Sequence, residues 1–345
     1  MPKVYWISNL RVFATLTVIM LHTASNGVAH YGSMPQQSWW ICNIFNTFGR
    51  FGVPVFVILS GYLLLDRYDN LETFLKKRFV RIFVPFLIWL FIYMIYGTFR
   101  GIKTEQVNWL SGDWLVRILT NNASGSGHLW FVYMLLGLYL FAPVLSRWLK
   151  DAPKIEIVFF LGMWLLSNVF FLVLEKTISL KSFFDFRYFT GFIGYFVMGA
   201  YLKKYPVTVS LNNKIITFSL FIIGWISTMF MAEYFSKLAG KYSDLLGYHS
   251  PFVVMMSIGI VVFFQQVFNR PFAEKIITEF DSSSYGIYLF HWLVMKILSR
   301  EYQINFALYP NPISGMMAQF ISTTVICIFV IGIMKRLPKG HWITG

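Results

Sequence analysis

Apolar runs of about twenty residues recur along the whole chain, each separated from the next by a polar or Pro/Gly-marked segment. A helix needs roughly 17 to 25 residues to cross a hydrocarbon layer of about 30 Å. Ten runs meet that length, near 8–28, 43–65, 81–99, 128–148, 155–174, 187–203, 214–235, 251–269, 283–299 and 313–334. Lipid offers no partner for backbone amides, so runs of this kind predict helices. Segments such as Arg67 to Arg78, Lys150-Asp151-Ala152-Pro153-Lys154, Lys203-Lys204-Tyr205-Pro206 and Asn269-Arg270-Pro271 read as loops. The longest connection, 100–127, ends in Ser124-Gly125-Ser126-Gly127. The expected fold is all-α: a polytopic integral membrane helical bundle of about ten transmembrane helices, forming a single domain over 1–345 with no internal repeat.

Composition sharpens this reading. Hydrophobic residues make up 57% of the chain and charged residues 13%, against about a quarter charged in a soluble domain. A net charge of +14 would point to nucleic acid in a soluble protein, but here the basic residues sit in short loops, so no nucleic-acid partner is expected. Assigning alternate loops to alternate sides puts 18 of the 29 Lys and Arg on the side of the N-terminus. Positive charge is retained in the cytoplasm during insertion, so both termini are expected there. The first run could be a signal peptide, with Gly27-Val28-Ala29 as a cleavage site. Arg11 and His22 within it, and the membrane protein that follows, favour an uncleaved first helix. Cys42 and Cys327 are too few for a disulfide framework, and no metal-type spacing exists.

Ionisable groups inside a membrane are costly, by about 2.5 to 3.5 kcal/mol at the centre, and so point to function. Arg11 and His22 are eleven residues apart, within about 20° of one helical stripe and roughly 16 Å apart along the axis. Arg78 and Arg81, three apart at the entry to the third run, share a face, and two like charges there call for an anion such as phosphate. Arg50 lies early in the second run, in Phe48-Gly49-Arg50-Phe51-Gly52-Val53-Pro54, where glycine and proline permit close packing or a break. His128 opens the fourth run and His291 lies within the ninth. Each has a plainer reading as an interfacial anchor or a bonded core residue. Trp39, Trp40, Trp109 and Trp114 fall near the outer face, where an aromatic belt accounts for them more economically than a sugar platform.

In order along the chain, Arg11 and His22, Val53-Pro54-Val55-Phe56 with Ser60-Gly61-Tyr62, Arg78-x-x-Arg81, His128-Leu129-Trp130-Phe131 and Ile287-Tyr288-Leu289-Phe290-His291 resemble acyltransferase family three, bacterial membrane enzymes that modify surface polysaccharides and lipid-linked sugars. Within the family the chain looks most like the stand-alone O-acetyltransferases, such as the one acting on enterobacterial common antigen. The resemblance implies a multi-pass protein of the bacterial cytoplasmic (inner) membrane, surrounded by membrane lipid. It implies transfer of an acyl group, most often acetyl, from acetyl-CoA or another acyl-CoA used as co-substrate, with no permanently bound cofactor and no metal. The acceptor would be a hydroxyl of a surface polysaccharide or lipid-linked sugar; homo-oligomerisation is left open. Arg11, Arg78, Arg81 and Arg50 become candidates for holding the donor's phosphates. His22 is the candidate base or transient acyl carrier, with His128 and His291 as further catalytic candidates. A glycan transporter or flippase, or a scaffold subunit, is the rival reading of buried arginine and histidine.

Overall fold

The computed structural model describes residues 4–65, 70–101, 107–120, 125–170, 191–243, 247–308 and 311–345. Thirteen α-helices and no strand occur among these residues. In chain order they are α1 (Tyr5–Ala29), α2 (Gln36–Phe48), α3 (Gly52–Leu64), α4 (Leu71–Phe99), α5 (Asp113–Leu119), α6 (Trp130–Asp151), α7 (Lys154–Phe170), α8 (Ile193–Lys204), α9 (Leu211–Ala239), α10 (Pro251–Val267), α11 (Glu274–Glu301), α12 (Pro312–Arg336) and α13 (His341–Thr344).

Among the described residues, six stretches are long and apolar enough to cross a membrane: Tyr5–Ala29, Gln36–Leu64, Val80–Phe99, Gly127–Asp151, Leu211–Ala239 and Pro312–Arg336. Pro251–Val267 is apolar but shorter. The expected runs 155–174 and 187–203 extend into residues outside the described set. The run at 283–299 belongs to a helix of 28 residues that begins nine residues earlier and carries acidic and basic side chains. Outward-facing apolar side chains support lipid contact: Phe99 is 86% exposed, Phe159 66% and Phe329 68%, surface that water would not tolerate in such number.

Several boundaries differ from expectation for identifiable reasons. The second span starts at Gln36, because α2 runs through a single 3-10 turn (Gly49–Phe51) directly into α3. The third helix starts at Leu71, where the Asn70 side chain accepts from the amide of Glu72. Asn70 is thus an N-cap that a hydropathy pattern ignores. The 100–127 connection contains α5, closed on itself by an Arg117–Asp113 ion pair at 2.6 Å. Trp39, expected in an outer belt, is instead buried and donates its Nε1 to the carbonyl of Val28.

Helix α1 is the centre of the bundle. It packs against α2, α3, α10, α11 and α12, and Leu10, Ala14 and Ala24 on it have no exposed surface. Close approach elsewhere depends on glycine. A Cβ at Gly61 of α3 would lie 1.8 Å from the carbonyl oxygen of Phe196 on α8, and one at Gly199 of α8 would lie 2.0 Å from that of Ile58. Small-residue contacts of this kind let membrane helices meet backbone to backbone.

Because the obstructing atoms are backbone, neither site can relax by rotamer change. Gly61→Ala or Gly199→Ala is expected to destabilise the protein by roughly 1 to 3 kcal/mol. Gly162→Ala on α7, where a Cβ meets nothing within 4 Å, should not. Thermal unfolding in detergent checks the contrast.

Candidate active site

Two helices set the register of the site. Arg11 and His22 are eleven residues apart on α1, and Asp281 and His291 are ten apart on α11. The Arg11 guanidinium donates to Asp281 Oδ1 at 2.7 Å, and Ser8 Oγ donates to Asp281 Oδ2 at 2.8 Å. One further span along, the His22 and His291 rings have centroids 5.3 Å apart. The helices therefore run parallel with matched registers, an ion pair at one end and an imidazole pair about 15 Å away.

The histidines converge. His128, in the 3-10 turn Gly127–Leu129 before α6, has its ring centroid 5.2 Å from that of His291 and stacks on Trp292 at 5.6 Å. His22 meets Trp292 edge-on at 4.7 Å. His291 is fully buried, His128 nearly so, and His22 partly exposed. Helix α11 also fixes the segment that carries His128: Trp292 Nε1 donates to the carbonyl of Gly125 at 2.9 Å, and the Tyr288 hydroxyl donates to that of His128 at 2.5 Å.

The tautomer of His291 follows from its neighbours. Its Nδ1 lies 2.7 Å from the carbonyl of Tyr288 and 3.2 Å from that of Ile287, and two carbonyls require an N–H between them. The proton therefore sits on Nδ1, and Nε2 carries the lone pair. That nitrogen, and both ring nitrogens of His128, are buried without a hydrogen-bond partner among the described residues. Buried polar atoms are rarely left so; a cluster of unpartnered imidazole nitrogens, of which a neutral His128 supplies one donor and one acceptor, suits a site that handles protons. Among the described residues, no three His, Cys, Asp or Glu side chains group as metal ligands.

Opposite His291, the Tyr93 hydroxyl of α4 is wedged into the α11 backbone. It donates to the carbonyl of Leu289 and accepts from the amide of Leu293, each at 3.0 Å. An undisturbed helix would join those two groups directly. The helix itself runs on from Glu274 to Glu301, so the hydroxyl pins α4 to the turn of α11 that carries His291.

A cavity of about 430 Å³ opens at the ion-pair end. Arg11, Arg78 and Arg81 all line it, with Asp281, Tyr139 and Tyr285 among its other walls, and Tyr288 and Phe131 also contribute. The Tyr288 ring contacts Phe131, His128 and His291. It therefore stands between the cavity and the histidines. Arg78 and Arg81 sit inside α4 rather than ahead of it. The lining side chains comprise three guanidiniums and one carboxylate, a surplus of positive charge.

Arg50 does not join this group. It lies at the turn between α2 and α3, buried, donating to Asn46 Oδ1 at 3.1 Å and to the Tyr242 hydroxyl. It borders a separate small space with Thr228, Phe235 and Ser243. Its place among the donor-binding arginines is corrected accordingly: the α2–α3 backbone turns its side chain toward α9 and away from the arginine cavity.

Residues 4–333 match the family model described as acyltransferase domain. The chain belongs to the acyltransferase 3 family. It is an acyltransferase, and its multiple apolar helices mark it as a membrane protein. Two relatives agree. Nodulation protein 10 of Rhizobium leguminosarum bv. viciae is 25% identical over 323 residues, covering 84% of this chain and 82% of that one. A protein of Acidianus two-tailed virus whose name gives it as an acetyltransferase, ORF330, is 24% identical over 312 residues, covering 85% and 83%. No solved structure matches.

Asp281, Tyr288, Tyr93 and Trp292 are the residues that sequence reasoning did not single out. Asp281 left a trace, since its ten-residue spacing to His291 mirrors that of Arg11 and His22. Tyr93 left none, because its role depends on which helix faces α4. The Arg11–Asp281 pair is largely shielded from solvent. Removing either partner leaves a poorly solvated charge. A double-mutant cycle of Arg11→Gln and Asp281→Asn, read by thermal unfolding, should give a coupling of about 1 to 3 kcal/mol. Tyr93→Phe should cost about 1 to 3 kcal/mol through the two interhelical hydrogen bonds it loses.

Proposed function

We propose that this acyltransferase carries an acyl group, most simply acetyl, from cytoplasmic acyl-CoA to a hydroxyl of a surface polysaccharide or lipid-linked sugar. The observation that carries this reading is the shared register of α1 and α11, with a cation-lined cavity ending on Tyr288 and three histidines immediately beyond it. In this reading about ten helices cross the bacterial inner membrane and both termini face the cytoplasm, as the distribution of Lys and Arg supports.

The chemistry follows from the parts. Coenzyme A is polyanionic, and Arg78 and Arg81, with Arg11 held by Asp281, present forked donors for its phosphates. The cavity's tyrosine and phenylalanine walls accept the uncharged arm, whose thioester must reach past Tyr288. The acceptor hydroxyl attacks the thioester carbonyl carbon, forming a C–O bond while its proton passes to His22. The tetrahedral intermediate collapses with cleavage of the C–S bond, and the thiolate leaves to recover a proton from the imidazolium. His291, with Nδ1–H pinned and Nε2 open beside His22, offers a second proton acceptor. His128 lines the side from which the sugar approaches. Positioned acid–base groups of this kind contribute about 10²- to 10⁴-fold.

Purified protein incubated with isotopically labelled acyl-CoA, with and without the host's surface glycan, should transfer label to the glycan as followed by mass spectrometry. His22→Ala should reduce transfer about 10²-fold or more while the protein remains folded at normal abundance. Arg78→Gln/Arg81→Gln should raise the KM for acyl-CoA more than it lowers kcat. Movement of a lipid-linked glycan without any acyl donor, and no label transferred, would establish the transport reading instead.

A further inference from the structure

A second cleft, of about 660 Å³, lies between α3, α6, α7 and α8 at the same end of the bundle as the arginine cavity. It is separate from that cavity. Gly61, Tyr62 and Leu65 of α3 line the cleft, whereas Ser60, Leu63 and Leu64 line the cavity. Acyl transfer as described makes no use of it.

Its side chains are cationic on one part and apolar on another. Arg147, Lys150, Lys203 and Lys204 line it, and among the described residues no carboxylate does; Asp151 and Glu156, at the nearby α6–α7 corner, are not among its walls. The four cations are not equivalent. Lys204 Nζ reaches the carbonyls of Leu149 and Ala152, each at 3.0 Å, and so caps the end of α6. Lys203 Nζ lies 5.3 Å from the centre of the Tyr62 ring, and Arg147 and Lys150 stand exposed at the rim. Ser146, which lines the cleft, is 94% buried, being 6% exposed, and its Oγ has no hydrogen-bond partner among the described residues. An unmet buried hydroxyl beside a cluster of cations is a donor awaiting an acceptor oxygen.

The apolar half favours one occupant. Leu149 and Ile157 form the inner wall, and the neighbouring outer faces of α6 and α7 present Val144 (59% exposed), Ile155 (73%) and Phe159 (66%). A soluble nucleotide or free phosphate would leave that surface unused, whereas a lipid would cover it with hydrocarbon while its phosphate met the cations. We propose that this cleft is a binding site for the headgroup of an anionic phospholipid, with its acyl chains lying against α6 and α7. The site is independent of acyl transfer.

The full chain, reconstituted into vesicles of phosphatidylcholine alone or with phosphatidylglycerol, provides the test. Anionic lipid should raise the thermal stability of the wild type and should be retained in native mass spectra of the purified protein. Arg147→Gln/Lys150→Gln/Lys203→Gln, which spares the structural Lys204, should lose that increment and reduce retention about fivefold for each charge removed. Its melting in phosphatidylcholine should stay near that of the wild type; if the triple variant does not fold, Lys150→Gln alone should show the smaller, fivefold loss. Arg270→Gln/Lys275→Gln, which removes two exposed charges elsewhere, should behave as wild type. Equal stability of the wild type in both vesicles, equal lipid retention by the cleft variant, or an equal loss in the control pair would overturn the assignment. So would a cleft variant that loses stabilisation by inorganic phosphate or acyl-CoA but keeps that by phosphatidylglycerol.

Discussion

The parallel packing of α1 on α11 is the constraint from which the site derives. An ion pair at one end fixes the axial register to within a fraction of a turn, because a one-residue slide of about 1.5 Å and 100° would carry Arg11 off Asp281. With that register set, the residue eleven positions on from Arg11 must fall beside the residue ten on from Asp281. The imidazole pair is thus a geometric consequence of the carboxylate–guanidinium contact. Within a low-dielectric bundle such a contact contributes little net stability by itself, yet it excludes other registers, since any slide strands both charges. Its role here is that of a registry device.

The remaining elements act on this two-helix frame. Tyr93 ties α4 to the α11 backbone at the turn that carries His291, while Tyr288 and Trp292 bind the segment before α6 and bring His128 in. Three of the four contacts that shape the site are therefore side chain to backbone. Such contacts hold ring positions without adding charge, which suits a place where desolvation already penalises every ion. Three arginines gather at the other end, where Arg78 and Arg81 join Arg11 around the cavity. A donor that is anionic at one end and uncharged along its arm matches this division of polarity.

Much of this was legible in the sequence where a single helix contains the information. The apolar runs gave most of the helices, and the Arg11–His22 stripe and the Arg78–Arg81 pair follow from the 3.6-residue repeat alone. What a single helix cannot state is its neighbour. Charge alone groups Arg50 with the other arginines, and the turn at Gly49–Phe51 directs it to Asn46 and Tyr242 instead. Asp281 lay in what read as a loop before the ninth run, since a hydropathy window discounts the polar first turns of a helix that begins at Glu274. The convergence of His128 with His22 and His291 involves segments more than 100 residues apart and no periodicity could forecast it.

In the proposed acyl transfer, Tyr288 separates the donor's cavity from the histidines. A side chain that touches the arginine cavity on one face and two histidines on the other is a partition. Its hydroxyl is tied to the carbonyl of His128, so the ring cannot swing far without releasing the segment that carries a catalytic candidate. Entry of a thioester would then be coupled to the placement of His128: the arm that displaces the ring also loosens the His128 loop, and its departure restores both. In the proposed reaction the same arrangement would disfavour hydrolysis of the donor, because Tyr288 stands between the cavity and the histidines. A smaller residue at 288 removes both restraints together, whereas loss of the hydroxyl alone removes only the tie to His128, so the two substitutions separate the role of the ring from the role of its hydrogen bond.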